Sequence, residues 1–248
     1  LHRYDEQIRS VFDDNVNELN LLFMTSSGGL TSANLFRGKD AILSGPAGGI
    51  IGAIKTSEYS GAKKIITFDM GGTSTDVAHY SGIVEKEFET EIAGIRMRVP
   101  MLKINTVAAG GGSILHFDGE RFQVGPFSAG ANPGPACYDM GGPLTVTDAN
   151  LILGRLQPKY FPKLFGPNGQ NALNTSIAFS KMNEIAKDTR KSALNVAEGF
   201  IKIANENMAN AIKKISVQKG YDISDYALSC FGGAGGQHAC AVADLLGI

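Results

Sequence analysis

Residues 65–77 carry the side chains that point most directly to chemistry. An apolar, β-branched run ends at the carboxylate of Asp69, and the turn that follows contains Gly71, Gly72, Thr73 and Ser74. Glycines let backbone N–H groups approach an anion, hydroxyl groups add donors, and a carboxylate at a strand end can hold a hydrated divalent cation. The segment predicts a strand, a tight turn and a second strand, with a phosphate and magnesium site at the turn.

Two common phosphate-binding loops do not fit this turn, because both lead from their glycines into a helix and this one leads into another strand. An ordinary hairpin turn is the alternative interpretation of an isolated Asp-x-Gly-Gly. For Asp76, two roles stay open: it positions a water molecule or the metal, or it caps the second strand.

A second glycine-rich turn lies near the end of the chain. Its residues are Gly232, Gly233, Ala234, Gly235 and Gly236. A buried strand is predicted before it, over residues 226–231, and a helix after it, over residues 237–246. Strand, glycine turn and helix are typical of nucleotide sites, because bare backbone and a helix N-terminus can approach ribose or phosphate.

Three further features could bear on function. Successive glycines at 110–112 either wrap a ligand or let two strands cross, and the Pro/Gly segment 125–142 predicts a long loop that forms a substrate wall. Cys137 in that loop is either a nucleophile or a small buried hydrophobic residue. The histidines His79, His116 and His238 have no spacing that suggests a metal site and are interpreted as structural.

The helices and strands that must position these residues are predicted from the spacing of apolar residues and from the glycines and prolines that interrupt it. The pattern predicts an amphipathic helix over residues 1 to about 19, a small-residue helix that starts near Pro46, and a hairpin with a two-residue turn at Asp118-Gly119. Thr147-Asp148 is expected to cap a helix over 149–156. Other predicted segments are strands at 21–24, 41–43, 92–99 and 101–107, a linker at 157–174, and helices at 176–186 and 192–218, the last ending before Gly220.

Composition excludes several classes of function. The chain has 248 residues, 43% hydrophobic and 19% charged, with a formal net charge of -1. That balance gives no electrostatic case for nucleic acid or an anionic membrane, and no apolar run reaches the roughly 20 residues that span a bilayer. Three cysteines without C-x-x-C spacing favour a reducing compartment, the cytoplasm. The chain starts at Leu1 without methionine, as expected of a piece of a longer protein.

The order of these elements resembles the second lobe of the actin-like ATPase superfamily, in which ATP lies between two ribonuclease-H-like lobes. The resemblance implies an α/β fold with a β-rich insertion. On this basis Asp69, Gly71, Gly72 and Thr73 match the second phosphate motif, and residues 232–236 match the adenosine motif. The Pro46 helix and the long helix with Met208 match the two connecting helices.

Within that superfamily the sequence resembles the hydantoinase A/oxoprolinase family through motifs that run along nearly the whole chain. They are SGPAGG at 44–49, FDMGGTSTDV at 68–77, AAGGGS at 108–113, VGP at 124–126, SAGA at 128–131, PGPACY at 133–138, TVTDAN at 145–150 and LGRL at 153–156. FGGAGGQHAC at 231–240 and LFGP at 164–167 are most similar to the 5-oxoprolinase branch.

The resemblance implies an enzyme that uses ATP and Mg²⁺ to open a five-membered cyclic amide, 5-oxo-L-proline to L-glutamate. Asp69 would be the metal ligand, and Asp69 with Asp76 the catalytic pair. Residues 1–40 would complete a preceding region and 41–248 would form the ATPase lobe, with its β-rich insert at about 83–147. This sequence contains neither the family's N-terminal lobe nor the C-terminal half of oxoprolinases, which would be partners of this lobe. A homo-oligomer is possible. Two alternatives within the family are a hydantoinase and an acetone carboxylase-type subunit. A third is a non-enzymatic protein in which ATP drives a change of conformation.

Overall fold

The computed structural model describes residues 2–11, 21–92 and 94–248, and these divide into two units. One unit comprises Leu1–Ile65 with His79–Ile104, and the other comprises Ile66–Ala78 with Asn105–Ile248. The domain borders expected at residues 41, 83 and 147 stay predictions about the longer protein. Each unit combines helices with short strands, so the chain is of the α/β class.

The described residues of the first unit form three helices and three pairs of antiparallel strands. The helices are α1 (His2–Val11), α2 (Gly38–Ala41) and α3 (Ser44–Tyr59). The strand pairs are β1 (Leu22–Met24) with β2 (Leu30–Ser32), β5 (Lys86–Glu87) with β8 (Met101–Leu102), and β6 (Thr90–Ile92) with β7 (Ile95–Met97).

The prediction of a helix at Pro46 is confirmed, because α3 begins at Ser44 and places Pro46 in its first turn. The sequence favours Ser44 or Gly45 as the cap, but the capping residue is Leu43. The strand predicted at 41–43 is wrong. The amide of Arg37 donates to the carboxylate of Asp40 at 3.0 Å, and this local bond favours the short helix α2 instead. The helix predicted from residue 1 ends at Val11, and its predicted continuation lies outside the described residues.

The second unit is built on a four-stranded sheet with four helices. Its strands are β3 (Ile65–Met70), β4 (Thr75–Tyr80), β9 (Asn105–Val107) and β12 (Ala227–Phe231), in the order β12-β3-β4-β9. A separate antiparallel pair joins β10 (Ser113–Phe117) to β11 (Phe122–Ser128). The helices are α4 (Val146–Ile152), α5 (Thr175–Thr189), α6 (Ala193–Ile215) and α7 (Ala239–Leu246).

Helix α6 forms the centre of the core of the second unit. Its apolar stripe, at the spacing of a helix face, is buried at Val196, Phe200, Met208 and Ile212, while Ile203 is half-buried. The same core contains Phe68, Met70 and Val77 from the sheet. Apolar residues at helical spacing in this segment predict a core-facing stripe, and the structure confirms that prediction.

Several predicted boundaries need correction. Helix α4 is capped by Thr145, not Thr147, because the Thr145 side chain and Asp148 form a reciprocal capping box. The hairpin loop spans residues 118–121 rather than two residues, since the Asp118 carboxylate accepts the amides of Glu120 and Arg121.

Near the end of the chain, β12 is an edge strand of the sheet that the structure describes, so its residues are half-buried or exposed rather than buried as predicted. Helix α7 starts at Ala239 because a 3₁₀ turn, Gly235–Gln237, comes first. The single strand predicted over 101–107 is two strands, β8 and β9, and the single strand predicted over 92–99 is β7 and the end of β6.

Candidate functional site

The first glycine turn, residues 71–74, connects β3 to β4 as the sequence predicts. The amide of Gly71 donates to the carbonyl oxygen of Ser74 at 3.0 Å and closes the turn. Within residues 2–11, 21–92 and 94–248, the amides of Gly72, Thr73 and Ser74 have no protein acceptor. Three successive N–H groups without a protein acceptor make this partly exposed turn a candidate cradle for an anion such as phosphate.

Asp69 and Asp76 lie on the two strands that flank this turn, and both are half-buried. Burial raises the pKa of Asp69 above its usual value, and the negative charge of Asp76 raises it further. The Asp76 carboxylate accepts a hydrogen bond from the Thr106 hydroxyl at 2.5 Å. A bound cation would offset the unfavourable charge at Asp69, so this carboxylate suits a metal ligand.

A cage of protein ligands for a metal is absent from the described part of the chain, where no three His, Cys, Asp or Glu side chains are close enough to surround an ion. Mg²⁺ does not need such a cage, because it keeps several waters and binds through one or two carboxylates together with substrate phosphates. Asp69 at the edge of the anion cradle therefore fits a hydrated Mg²⁺ that is bound with a nucleotide.

The second glycine turn, residues 232–236, lies against the same strand end. The amide of Ala234 donates to the Met70 carbonyl oxygen at 3.0 Å. Gly232 has φ +86°, and a Cβ there would overlap the Asp69 carboxylate and the Met70 carbonyl. The structure thus brings together the two glycine turns that the sequence singled out, with Asp69 between them.

The glycines of the second turn differ in what surrounds them. Gly233 and Gly236 are exposed, and a Cβ on either would meet nothing within 4 Å. Gly235 is buried, and its Cβ would lie 2.7 Å from the sulfur of Cys230. A side chain at Gly235 would therefore require the Cys230 sulfur to move, a packing role that sequence alone did not separate from a role in admitting nucleotide.

The glycines at 110–112 pack on the backbone of the first glycine turn. The amide of Gly111 donates to the Gly71 carbonyl at 3.0 Å, and that of Gly112 to the Gly72 carbonyl at 2.5 Å. A Cβ on Gly110 would lie 2.6 Å from the carbonyl carbon of Thr73. The lack of side chains lets one backbone segment support the other, a role that the sequence could not distinguish from ligand wrapping.

The segment 125–142 contains more secondary structure than the long loop that the sequence predicts. β11 continues to Ser128, and a 3₁₀ turn covers Ala136–Tyr138. Cys137 is fully buried, and burial, followed by the nearby charge of Asp148, raises the pKa of its thiol far above the usual range. A thiol that stays protonated is a poor nucleophile, so the interpretation of Cys137 as a small hydrophobic residue is the one that fits. The role of this segment as a substrate wall stays a prediction.

His238 lies in the core beside the second glycine turn. Its Nδ1 is 2.7 Å from Asn205 Oδ1, and its Nε2 is 2.9 Å from Asn150 Nδ2. Burial, together with the positive charge of Arg155, lowers the pKa of His238 to about 4. A neutral imidazole held between two amides is a structural link between α4 and α6, as the sequence suggested.

No described helix combines the length and apolar character needed to cross a membrane.

Comparisons with known proteins find relatives along the whole chain. The profile of the hydantoinase/oxoprolinase family matches residues 1–248. The 5-oxoprolinase of Saccharomyces cerevisiae is 51% identical over 93% of this chain, which spans 19% of that protein. The crystal structure of the ATP-dependent caprolactamase from Pseudomonas jessenii superposes on 99% of this chain with a TM-score of 0.82 and 37% identity, and 36% of that chain is covered.

The nucleotide-free structure of acetone carboxylase superposes on 97% of this chain with a TM-score of 0.80 and 27% identity, over 34% of that chain. These superpositions confirm the α/β fold expected of an actin-like ATPase lobe. The chain spans about a fifth of the length of the oxoprolinase relative and about a third of the two solved chains.

Proposed function

Since the chain belongs to the hydantoinase/oxoprolinase family, we propose that the protein containing it uses ATP to hydrolyse 5-oxo-L-proline to L-glutamate, with ADP and phosphate as the other products. One observation supports the use of ATP in this proposal. Three free amides, Asp69 and the second glycine turn lie together at one end of β3. The choice of a five-membered lactam rests on the identity to 5-oxoprolinase, 51%, against 37% for caprolactamase.

The chemistry requires activation, because an unstrained amide resists attack by water. The lactam oxygen attacks the γ-phosphorus of ATP, the bond to ADP breaks, and the ring carbon becomes a better electrophile. Water then adds to that carbon, the ring C–N bond breaks as the nitrogen takes a proton, and an acyl phosphate remains. A second water hydrolyses the acyl phosphate to a carboxylate and phosphate.

The residues of this chain contribute positioning and charge stabilisation, which are the main demands of phosphoryl transfer. The amides of Gly72, Thr73 and Ser74 donate to phosphate oxygens, and Asp69 holds the hydrated Mg²⁺. The metal neutralises negative charge on the phosphates when it is bound. Asp76, which accepts a hydrogen bond from Thr106, adds its negative charge to the burial that raises the pKa of Asp69, and a bound cation would offset this unfavourable charge.

The exposed Gly233 offers bare backbone beside this centre, which suits the adenosine part of the nucleotide. We place the chain as the second of two ATP-binding lobes, with further phosphate contacts supplied by a lobe outside this chain. The three cysteines, none of them in a disulfide, suit the cytoplasm.

A phosphate-release assay on the full-length protein tests the proposal. Mg-ATP would be offered with 5-oxo-L-proline, hydantoin, caprolactam or acetone in separate reactions. We expect phosphate release that depends on 5-oxo-L-proline and is matched by glutamate formation. Release that depends on acetone, or that proceeds equally without any amide, would contradict the proposal.

A further inference from the structure

Thr147 makes a double contact with the backbone that supports the first glycine turn. Its amide and its hydroxyl both donate to the carbonyl oxygen of Gly111, each at 2.8 Å. The amide of the same Gly111 donates to the carbonyl of Gly71 at 3.0 Å. Thr147 is thus connected to the turn through a single residue.

The fit at Gly111 is tight as well as hydrogen-bonded. A Cβ on Gly111 would lie 2.9 Å from the Thr147 hydroxyl oxygen, so that hydroxyl occupies the space that the glycine leaves open. The Gly111 carbonyl and the Gly112 amide belong to the same peptide unit, so two hydrogen bonds to this carbonyl make the Gly112 amide a better donor to the Gly72 carbonyl. The Thr147 hydroxyl therefore fixes the position of Gly111, whose own amide donates to the Gly71 carbonyl, and strengthens the bond from Gly112 to Gly72.

Thr147 itself stands on a rigid support. The adjacent Asp148 is fully buried, and its carboxylate accepts the Thr145 amide at 2.8 Å and the Thr145 hydroxyl at 2.9 Å. The same carboxylate accepts the amides of Ala136 and Cys137 at 3.1 and 2.7 Å. Four donors on one buried carboxylate hold the start of α4 in place, so Thr147 has little freedom to follow a displaced turn.

We propose that Thr147 is a positioning residue for the first glycine turn: through Gly111 and Gly112 it sets the Gly71 and Gly72 carbonyls, and with them the direction of the Gly72 and Thr73 amides in the same peptide units. The inference rests on the proposed use of ATP at this turn. Thr147 does not touch the nucleotide in this arrangement. Its hydroxyl acts on phosphate affinity through the Gly111 peptide.

The test compares Thr147→Val, which removes the hydroxyl and keeps the shape, with Thr147→Ser, which keeps the hydroxyl. In the full-length protein, calorimetry would measure the Kd for Mg-ATP, and steady-state kinetics the KM values for ATP and 5-oxo-L-proline. We expect Thr147→Val to raise the Kd and KM for ATP about tenfold, the effect of one hydrogen bond. The KM for 5-oxo-L-proline should stay within about twofold, and Thr147→Ser should retain ATP affinity near that of the wild type.

Thr189→Val is the matched control, because the Thr189 hydroxyl bonds only to carbonyls of its own helix, at Ile185 and Ala186. It should leave both KM values unchanged. If Thr147→Val fails to fold, Gly111→Ala tests the same contact, because the new Cβ on residue 111 would displace the Thr147 hydroxyl. We expect this variant also to weaken ATP binding.

Wild-type ATP affinity in folded Thr147→Val or Gly111→Ala would overturn the inference. Equal weakening of ATP and 5-oxo-L-proline in Thr147→Val, or a Thr147→Ser variant as impaired as Thr147→Val, would also overturn it. If the wild-type protein binds Mg-ATP but does not turn over 5-oxo-L-proline, the proposed substrate fails while the role of Thr147 is still decided by the calorimetry. A wild-type protein that binds no Mg-ATP would overturn both.

Discussion

The amide of Ala234 donates to the Met70 carbonyl oxygen at 3.0 Å, and this bond joins the second glycine turn to the strand end that carries Asp69. The bond explains why two motifs far apart in sequence form one site. It also places Gly232 where a side chain would overlap the Asp69 carboxylate. The proposed nucleotide site and the geometry of Asp69 are therefore linked through this turn.

Gly232→Ala should damage the site. Its φ of +86° is unfavourable for alanine, and the new Cβ would displace the Asp69 carboxylate or the Met70 carbonyl. We expect kcat/KM for ATP to fall at least about tenfold, with a loss of about 1–3 kcal/mol in the free energy of unfolding. Steady-state kinetics and denaturant unfolding would measure the two effects.

Gly233→Ala is the matched control for stability, because its Cβ would meet nothing within 4 Å and its φ is not positive. Its free energy of unfolding should be near that of the wild type. If Gly232→Ala proved as stable and as active as the wild type, the close approach of Gly232 to Asp69 would not matter in solution.

Gly235→Ala should destabilise the fold through a collision with Cys230. The new Cβ would lie 2.7 Å from the Cys230 sulfur, and overpacking of this kind costs about 1–3 kcal/mol. Combining it with Cys230→Ala removes the sulfur and should recover most of that loss. A double-mutant cycle of unfolding free energies measures the coupling, and strictly additive effects would contradict the packing role given to Gly235.

The second unit should become less stable as the pH is lowered below about 6.5. The pKa of His238 is lowered to about 4 in the fold by burial, so between pH 6.5 and 4 the unfolded chain binds a proton that the folded chain does not. The free energy of unfolding therefore decreases as pH falls through this window. The loss approaches about 3 kcal/mol near pH 4, at about 1.4 kcal/mol per pH unit.

Denaturant unfolding at several pH values, with and without His238→Gln, measures this contribution. The variant should be less stable at pH 7, because the contacts to Asn150 and Asn205 are lost, but its stability should depend less on pH. His116→Gln changes an exposed histidine and should keep the wild-type pH dependence. The same pH dependence in His238→Gln as in the wild type would show that His238 is not the group responsible.

The parts of the fold that could be predicted from sequence are those with a local signal. β3, the first glycine turn and the buried stripe of α6 follow from β-branched runs, glycines and helical spacing. The cap of α4 was misplaced by two residues because both Thr145 and Thr147 precede Asp148, yet the spacing Thr145-x-x-Asp148 is that of a capping box and would have identified the right one.

The support of the first glycine turn could not be predicted, because it depends on contacts between distant segments. A run of three glycines is compatible with ligand binding or with close backbone packing, and only the distances from Gly111 to Gly71 and Thr147 decide between them. The same holds for Gly233 and Gly235, which look alike in sequence although Gly233 is exposed and Gly235 is buried beside Cys230.

Turnover of the Asp69→Asn variant of the full-length protein, at saturating Mg-ATP and 5-oxo-L-proline, is the most direct test of the account. Burial and the charge of Asp76 raise the pKa of Asp69, so its negative charge does not stabilise the fold, and the variant should unfold at nearly the wild-type temperature. Without this metal ligand, we expect kcat to fall by at least about 10²-fold. A folded variant with turnover near that of the wild type would contradict the assignment of Asp69 as the residue that serves Mg-ATP.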